Sequence, residues 1–108
     1  MKKKFYFIEV ISTATQENKN FAGDVHRHVY GKGEELVAFE MVKNVSGDTC
    51  HLKEFDNTNV KCDITEYGFK SAKMAETTGK RLHGKNDVYA GVTIWTNEIH
   101  TIEREIDI

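Results

Sequence analysis

Histidine is the residue type in this chain best suited to binding a metal ion or transferring a proton. There are five: His26, His28, His51, His83 and His100. His26 and His28 are two residues apart in a predicted strand, so both side chains point to one face, about 7 Å apart at the backbone. Two imidazoles at this spacing can share a metal ion, which makes this pair the metal candidate of the sequence.

A zinc site that also used the cysteines is not expected. Cys50 and Cys62 have no Cys-x-x-Cys spacing, and His51 would point to the opposite face of a strand from Cys50. Both cysteines lie on alternating apolar stretches, where a thiol behaves as a small core residue. We therefore expect no metal and no cofactor, and two reduced cysteines indicate a cytoplasmic protein.

The sequence contains few features that indicate nucleophilic or acid–base catalysis. No Gly-x-Ser-x-Gly elbow or other nucleophile motif is present. Two separated histidines with a lysine can perform ribonuclease-like acid–base chemistry, but such a set has no recognisable spacing. The sequence therefore favours a non-enzymatic protein, with a small histidine-centred metal protein or hydrolase as an alternative.

A concentration of cations in the second half of the chain points to an anionic partner. The segment 69–85 contains five cations and one acid, whereas 98–108 contains four acids and one arginine. Apolar or small residues at helical spacing predict a helix over 69–83 that ends at Gly84, with the cations on its exposed side. Such a local basic face attracts phosphate groups or an acidic protein surface.

Two aromatic residues extend this candidate surface. Tyr89 and Trp95 flank Gly91 and Thr93 on one face of a predicted strand, an arrangement that can accept a stacked base. The predicted partner-binding residues are Lys70, Lys73, Lys80, Arg81, Lys85, Tyr89 and Trp95. A single-stranded nucleic acid bound by a small barrel is the corresponding alternative function.

Length and composition exclude several classes of protein. The chain has 108 residues, a net charge of -2, 39% hydrophobic and 30% charged residues. These values fit one globular domain over residues 1–108 and argue against disorder. No apolar run approaches the roughly 20 residues that span a bilayer. The preference for lysine over arginine suggests a microbial or viral origin.

Hydrophobic periodicity predicts about seven strands and one helix. The predicted strands cover 5–11, 25–30, 35–45, 49–55, 60–66 and 88–95, with a last strand after a turn near Asn97–Glu98. Two segments, 18–30 and 34–44, also fit short helices, so their type stays open. The connections are too short for parallel crossovers, which favours antiparallel pairing.

The fold class that follows is α+β and β-rich. We expect a mainly antiparallel sheet, curled or doubled into a small barrel or sandwich, with one short helix at about 69–83. The predicted function is a small soluble binding or regulatory protein that acts through a surface patch on an anionic macromolecule, either protein or nucleic acid. An exposed sheet edge would also permit a homodimer.

Overall fold

The computed structural model describes residues 1–43 and 64–107 of the chain. The described residues form five strands: β1 (Lys2–Ala14), β2 (Val25–Tyr30), β3 (Leu36–Lys43), β4 (Asp87–Tyr89) and β5 (Val92–Asp107). Two α-helices, α1 (Ile64–Tyr67) and α2 (Ala72–His83), and a 3-10 turn at Lys32–Glu34 complete the described elements. None of the described helices has the length and apolar character needed to cross a membrane.

The strands form one antiparallel sheet in the order β3-β2-β1-β5-β4. β1 is central, and its nearly continuous apolar sequence is typical of a strand that is covered on both faces. The β-rich antiparallel prediction is confirmed, but in the described part the sheet stays open and does not close into the predicted barrel. The strand interpretation holds for 25–30 and 36–43, so the alternative helices there are wrong.

The longest strand corrects the predicted turn near Asn97–Glu98. β5 runs through both residues and pairs with the whole length of β1, from Lys2–Asp107 to Ala14–Trp95. The polar side chain of Asn97 is accommodated in the sheet because both its oxygen and its nitrogen are hydrogen-bonded. Its Oδ1 accepts from Ser12 Oγ at 2.6 Å, and its Nδ2 donates to the Lys85 carbonyl at 2.9 Å. Hydrogen bonds to residues distant in the sequence thus hold Asn97 in a strand, although the local sequence predicts a turn.

The helix α2 confirms the predicted helix, with a later start. Ser71 is the N-cap, and its hydroxyl accepts from the Met74 amide at 3.3 Å, whereas Gly84 is the C-cap as expected. Phe69, inside the predicted helix, instead makes a two-way backbone bridge with Tyr6. Phe69 thus pairs with β1 at Tyr6, beyond Ile8, where the pairing of β1 with β2 ends.

Gly79 explains how closely α2 lies on the sheet. A Cβ atom added there would lie 2.9 Å from Ile8 Cγ2 and 3.3 Å from Ile99 Cγ2. A residue that weakens an isolated helix therefore permits the contact between α2, β1 and β5. Ala75 lies one turn earlier and is fully buried against the same surface.

Residues 64–66 are a second correction. They were predicted to end a strand, but they belong to α1, whose Ile64 is buried beneath the sheet. The rest of the predicted hairpin, with Cys50, His51 and Cys62, lies outside the described residues.

The sheet has two differently packed faces. The helix side, covered by α2, has a core built from Ile8, Val10, Phe69 and Ala75. The far side has a second core that contains Phe5, Phe7, Val29, Val37 and Ile64. The far side also holds the buried Arg27, whose Nε donates to Glu9 Oε2 at 2.6 Å. The candidate site lies on the helix side.

Candidate functional site

Five rings follow one another across the helix side of the sheet, and we call them the ring row. Its members are Trp95, His26, His28, Tyr30 and His83. Successive ring centroids are 4.9 Å apart for Trp95–His26, 6.5 Å for His26–His28, 5.9 Å for His28–Tyr30 and 4.4 Å for Tyr30–His83. The row joins residues from β5, β2 and α2 that are far apart in the sequence.

Alternation along β2 builds the middle of the ring row. His26, His28 and Tyr30 occupy every second position, so all three side chains point to the helix side, as the spacing of the two histidines predicts. Trp95 reaches the row from β5, where it pairs opposite Ala14 of β1. His83 reaches it as the last residue of α2. The row therefore depends on the register of the sheet and on the docking of the helix.

Two further aromatic side chains flank the ring row and remain half exposed. Phe39 of β3 lies 5.6 Å from His26 and 5.0 Å from His28, and its relative exposure is 50%. Phe21 lies 5.8 Å from Trp95 and is 45% exposed. The row thus continues onto an apolar surface in contact with solvent.

His26 is held by a buried carboxylate. Its Nε2 lies 3.2 Å from Asp24 Oδ2, and Asp24 is 3% exposed with no partner for Oδ1 among the described residues. In the part of the chain that the structure describes, no group of three or more His, Cys, Asp or Glu residues is arranged to hold a metal ion. The predicted pair His26 and His28 therefore has no third ligand there.

A cavity of about 220 Å³ lies beside the end of α2. Its walls are formed by Val10, Ser12, His28, Tyr30, Leu82, His83, Lys85, Asp87 and Asn97. Two of its polar groups are already satisfied, because Ser12 and Asn97 hydrogen-bond to each other and Asn97 to the Lys85 carbonyl. The cavity brings together two histidines and a lysine, which are the residue types named for acid–base chemistry.

The histidines of the cavity are uncharged at neutral pH. Burial lowers the pKa of His28, and the nearby His26 and His83 lower it further. Burial also lowers the pKa of His83, although Glu34 and Asp87 act in the opposite direction. His83 Nε2 is buried and has no hydrogen-bond partner among the described residues. A buried polar atom left in this way is costly.

Tyr30 is also neutral. Burial raises the pKa of its hydroxyl, and the Asp87 carboxylate raises it further. The near-parallel rings of His28, Tyr30 and His83, with interplanar angles of 10° and 18°, thus form an uncharged stack.

The predicted cations lie on the exposed side of α2 and at its two ends. Lys73 and Lys80 are exposed on the side opposite the buried Ala75 and Gly79. Arg81 is exposed on the helix, Lys70 just before it and Lys85 just after it. We call these five residues the cation face. Lys80 Nζ lies 2.8 Å from Glu76 Oε1, and this hydrogen bond, with the charges of Lys80 and Lys73, lowers the pKa of Glu76.

The acids at the end of β5 do not lie against the cation face. They pair with the basic start of β1: Lys2 with Glu105 at 3.6 Å, Lys4 with Glu103 at 3.5 Å, and the Met1 amino group with Asp107 at 3.1 Å. Within the described residues, the only ion pair of the cation face is the one between Lys80 and Glu76.

Comparisons of the whole chain with protein-family models, with curated proteins and with solved structures find no match.

The prediction that Tyr89 and Trp95 lie on the same face of one strand is wrong. Ala90 and Gly91 both have positive φ and form the turn between β4 and β5. Tyr89 pairs opposite Val92, three residues before Trp95, so the two rings point to opposite faces of the sheet. Tyr89 is 73% exposed at the turn, whereas Trp95 packs in the ring row.

Sequence reasoning missed the residues that complete the site. Tyr30, Phe21 and Phe39 were not named as site residues, and Asn97 was assigned to a turn. The alternation of His26, His28 and Tyr30 is a signal that identifies the centre of the row. No local pattern connects these residues with His83, because their contact depends on how α2 docks.

Proposed function

We propose that this protein is a small non-enzymatic binding protein that holds an anionic partner on its cation face. The observation that carries the proposal is the position of Lys73 and Lys80 on the exposed side of a helix whose other side is buried. The exposed side is not needed for the hydrophobic packing of the helix. Its charge is therefore available to a partner.

Charge distribution supports the proposal in spite of the net charge of -2. The acids Glu103, Glu105 and Asp107 pair with the start of β1, so their field is partly compensated where they lie. On the cation face, the one ion pair among the described residues is that of Lys80 with Glu76, so four of its five cations are not in an ion pair there. Local fields of this kind steer an anionic partner to one surface.

A charge-reversal experiment tests the proposal. The variant Lys73→Glu/Lys80→Glu is compared with Lys3→Glu/Lys19→Glu, which makes the same change in net charge at exposed positions outside α2. The probes are a single-stranded DNA of about eight nucleotides and polyglutamate of matched charge. We expect only the first variant to lose affinity, and its slope of log affinity against log salt to fall by about one to two. Equal losses in both variants, or no binding of either probe to the wild type at low salt, would contradict the proposal.

A single-stranded nucleic acid is the more specific candidate for the partner. The observation in its favour is that Lys85 of the cation face lines one cavity with rings of the ring row, while Phe21 and Phe39 are exposed beside that row. Stacked bases and neutralised phosphates are the two contacts on which single-strand binders depend. Stronger binding of the oligonucleotide than of polyglutamate, with a change in the fluorescence of the single Trp95, is the expected result. Equal binding of both probes would favour an acidic protein surface.

We also propose a location and an oligomeric state for this protein. We place the protein in the cytoplasm, since its two cysteines are interpreted as reduced core residues. A homodimer would form through an edge of the sheet, which in the described part means β3 or β4. Sedimentation at several concentrations tests the homodimer.

A further inference from the structure

We propose that the cavity beside the end of α2 binds one base of a single-stranded nucleic acid, and that it favours a base with an exocyclic amino group. The inference rests on the proposed function, because the cation face would hold the phosphates on either side of that base. It adds a second site, which recognises the base itself and which the cation face does not contain.

The uncharged stack of His28, Tyr30 and His83 supplies the aromatic wall. The three rings are nearly parallel, and His28 and His83 both resist protonation because they are buried. Neutral rings can extend a stack with a neutral base and do not require a counter-charge. A phosphate would be a poor occupant of the same space, since Asp87 also lines the cavity.

The Asp87 carboxylate matches the edge of an amino-bearing base. Ser12 and Asn97 are occupied with each other, whereas Asp87 is exposed and lines the cavity. A carboxylate accepts the hydrogen bonds that the amino group of cytosine donates. Thymine carries a carbonyl oxygen at the corresponding position, which a carboxylate repels.

The size of the cavity sets the limit on the ligand. About 220 Å³ is below the roughly 300–1,000 Å³ that encloses a drug-sized molecule, so the cavity is too small for a whole nucleotide and only the base would enter it. Lys85 lines the cavity and also belongs to the cation face. A strand whose base enters the cavity therefore has a cation at the mouth for its phosphate.

The test compares three oligonucleotides of about eight positions with one backbone: oligo-dC, oligo-dT and an abasic strand. Binding is followed by fluorescence anisotropy of an end label. We expect the wild type to bind oligo-dC about tenfold more tightly than the abasic strand and severalfold more tightly than oligo-dT. Asp87→Asn should remove the preference for dC over dT, whereas Glu17→Gln, an exposed change of equal charge, should keep it.

A second variant tests the aromatic wall separately. His83→Ala should bring the affinity for oligo-dC close to that for the abasic strand, and should leave the abasic affinity and its salt slope unchanged. Circular dichroism and a cooperative unfolding transition check that both variants are folded.

The outcomes separate the two proposals. If the abasic strand binds the wild type as tightly as oligo-dC, the base site is wrong and the cation face stands. The base site is also wrong if Asp87→Asn and His83→Ala leave the dC preference intact. If no oligonucleotide and no polyglutamate binds, the proposed function fails together with the base site.

Discussion

Tyr30 and His83 stack with their ring centroids 4.4 Å apart and their planes at 18°, which connects the end of β2 to the last residue of α2. The contact positions the end of the helix over the sheet and forms one wall of the cavity. It is a relationship between two residues that are more than fifty positions apart in the chain. Its loss is expected to affect both the stability of the fold and the shape of the candidate site.

His83→Ala should therefore destabilise the protein. An aromatic pair contributes about 0.5–1.5 kcal/mol beyond its buried area, so we expect the free energy of unfolding to fall by about 1 kcal/mol. Guanidinium denaturation measures the change. His100→Ala is the control, because His100 is exposed and its Nε2 lies 3.0 Å from the carboxylate of the exposed Glu98, and its effect should stay within about 0.5 kcal/mol. Equal effects of the two variants would show that the stack is not important.

Gly79→Ala should destabilise the protein even though alanine is the better helix former. Alanine gains about 1 kcal/mol of helix propensity, but its Cβ would lie 2.9 Å from Ile8 Cγ2, and such overpacking costs about 1–3 kcal/mol. We expect a net loss of about 1 kcal/mol in thermal or chemical unfolding. Thr77→Ala, at an exposed position of the same helix, should stabilise slightly. A stabilised Gly79→Ala variant would mean that α2 lies farther from the sheet.

Stability should fall as the pH drops below the ordinary histidine range. The folded-state pKa of His28 and of His83 is lowered by burial, so the unfolded chain binds protons more readily than the folded one. Their contribution to stability is complete above the unfolded pKa of about 6.5 and decreases as the pH falls from there towards the folded values. Urea unfolding at several pH values between about 7.5 and 5.5 measures this slope. The variant His28→Gln/His83→Gln should show a flatter profile over that interval, and an equal slope in both proteins would contradict the assignment.

Asn97→Ala should destabilise the protein and open the wall of the cavity. The substitution removes the acceptor of the Ser12 hydroxyl, which is 9% exposed, and the donor to the Lys85 carbonyl. A part-buried hydroxyl without a partner costs about 1–3 kcal/mol, and we expect a loss of that order. Thr96→Ala, the exposed neighbour on the same strand, is the matched control and should change stability by less than about 1 kcal/mol. Hydrogen exchange of the segment 85–89 should also accelerate in Asn97→Ala alone.

Sequence reasoning identified the features that follow from the regular period of a single strand or helix. His26 and His28 share a face because alternation is a property of any strand, and α2 is recognisable from its apolar spacing and from Gly84. The exposure of Lys73 and Lys80 follows from the same helical period. These are local consequences of backbone geometry, and they need no knowledge of the rest of the fold.

Tertiary structure decided the features that depend on distant partners. Asn97 lies within a strand because Ser12 and Lys85 hydrogen-bond to its side chain. Gly79 is suited to α2 because Ile8 lies too close to leave room for a Cβ atom. Tyr89 and Trp95 were separated by a turn at Ala90–Gly91, where the positive φ values depend on the pairing of β4 with β5. The ring row and its cavity belong to this second group, because Tyr30 and His83 meet only after β2 has paired and α2 has docked.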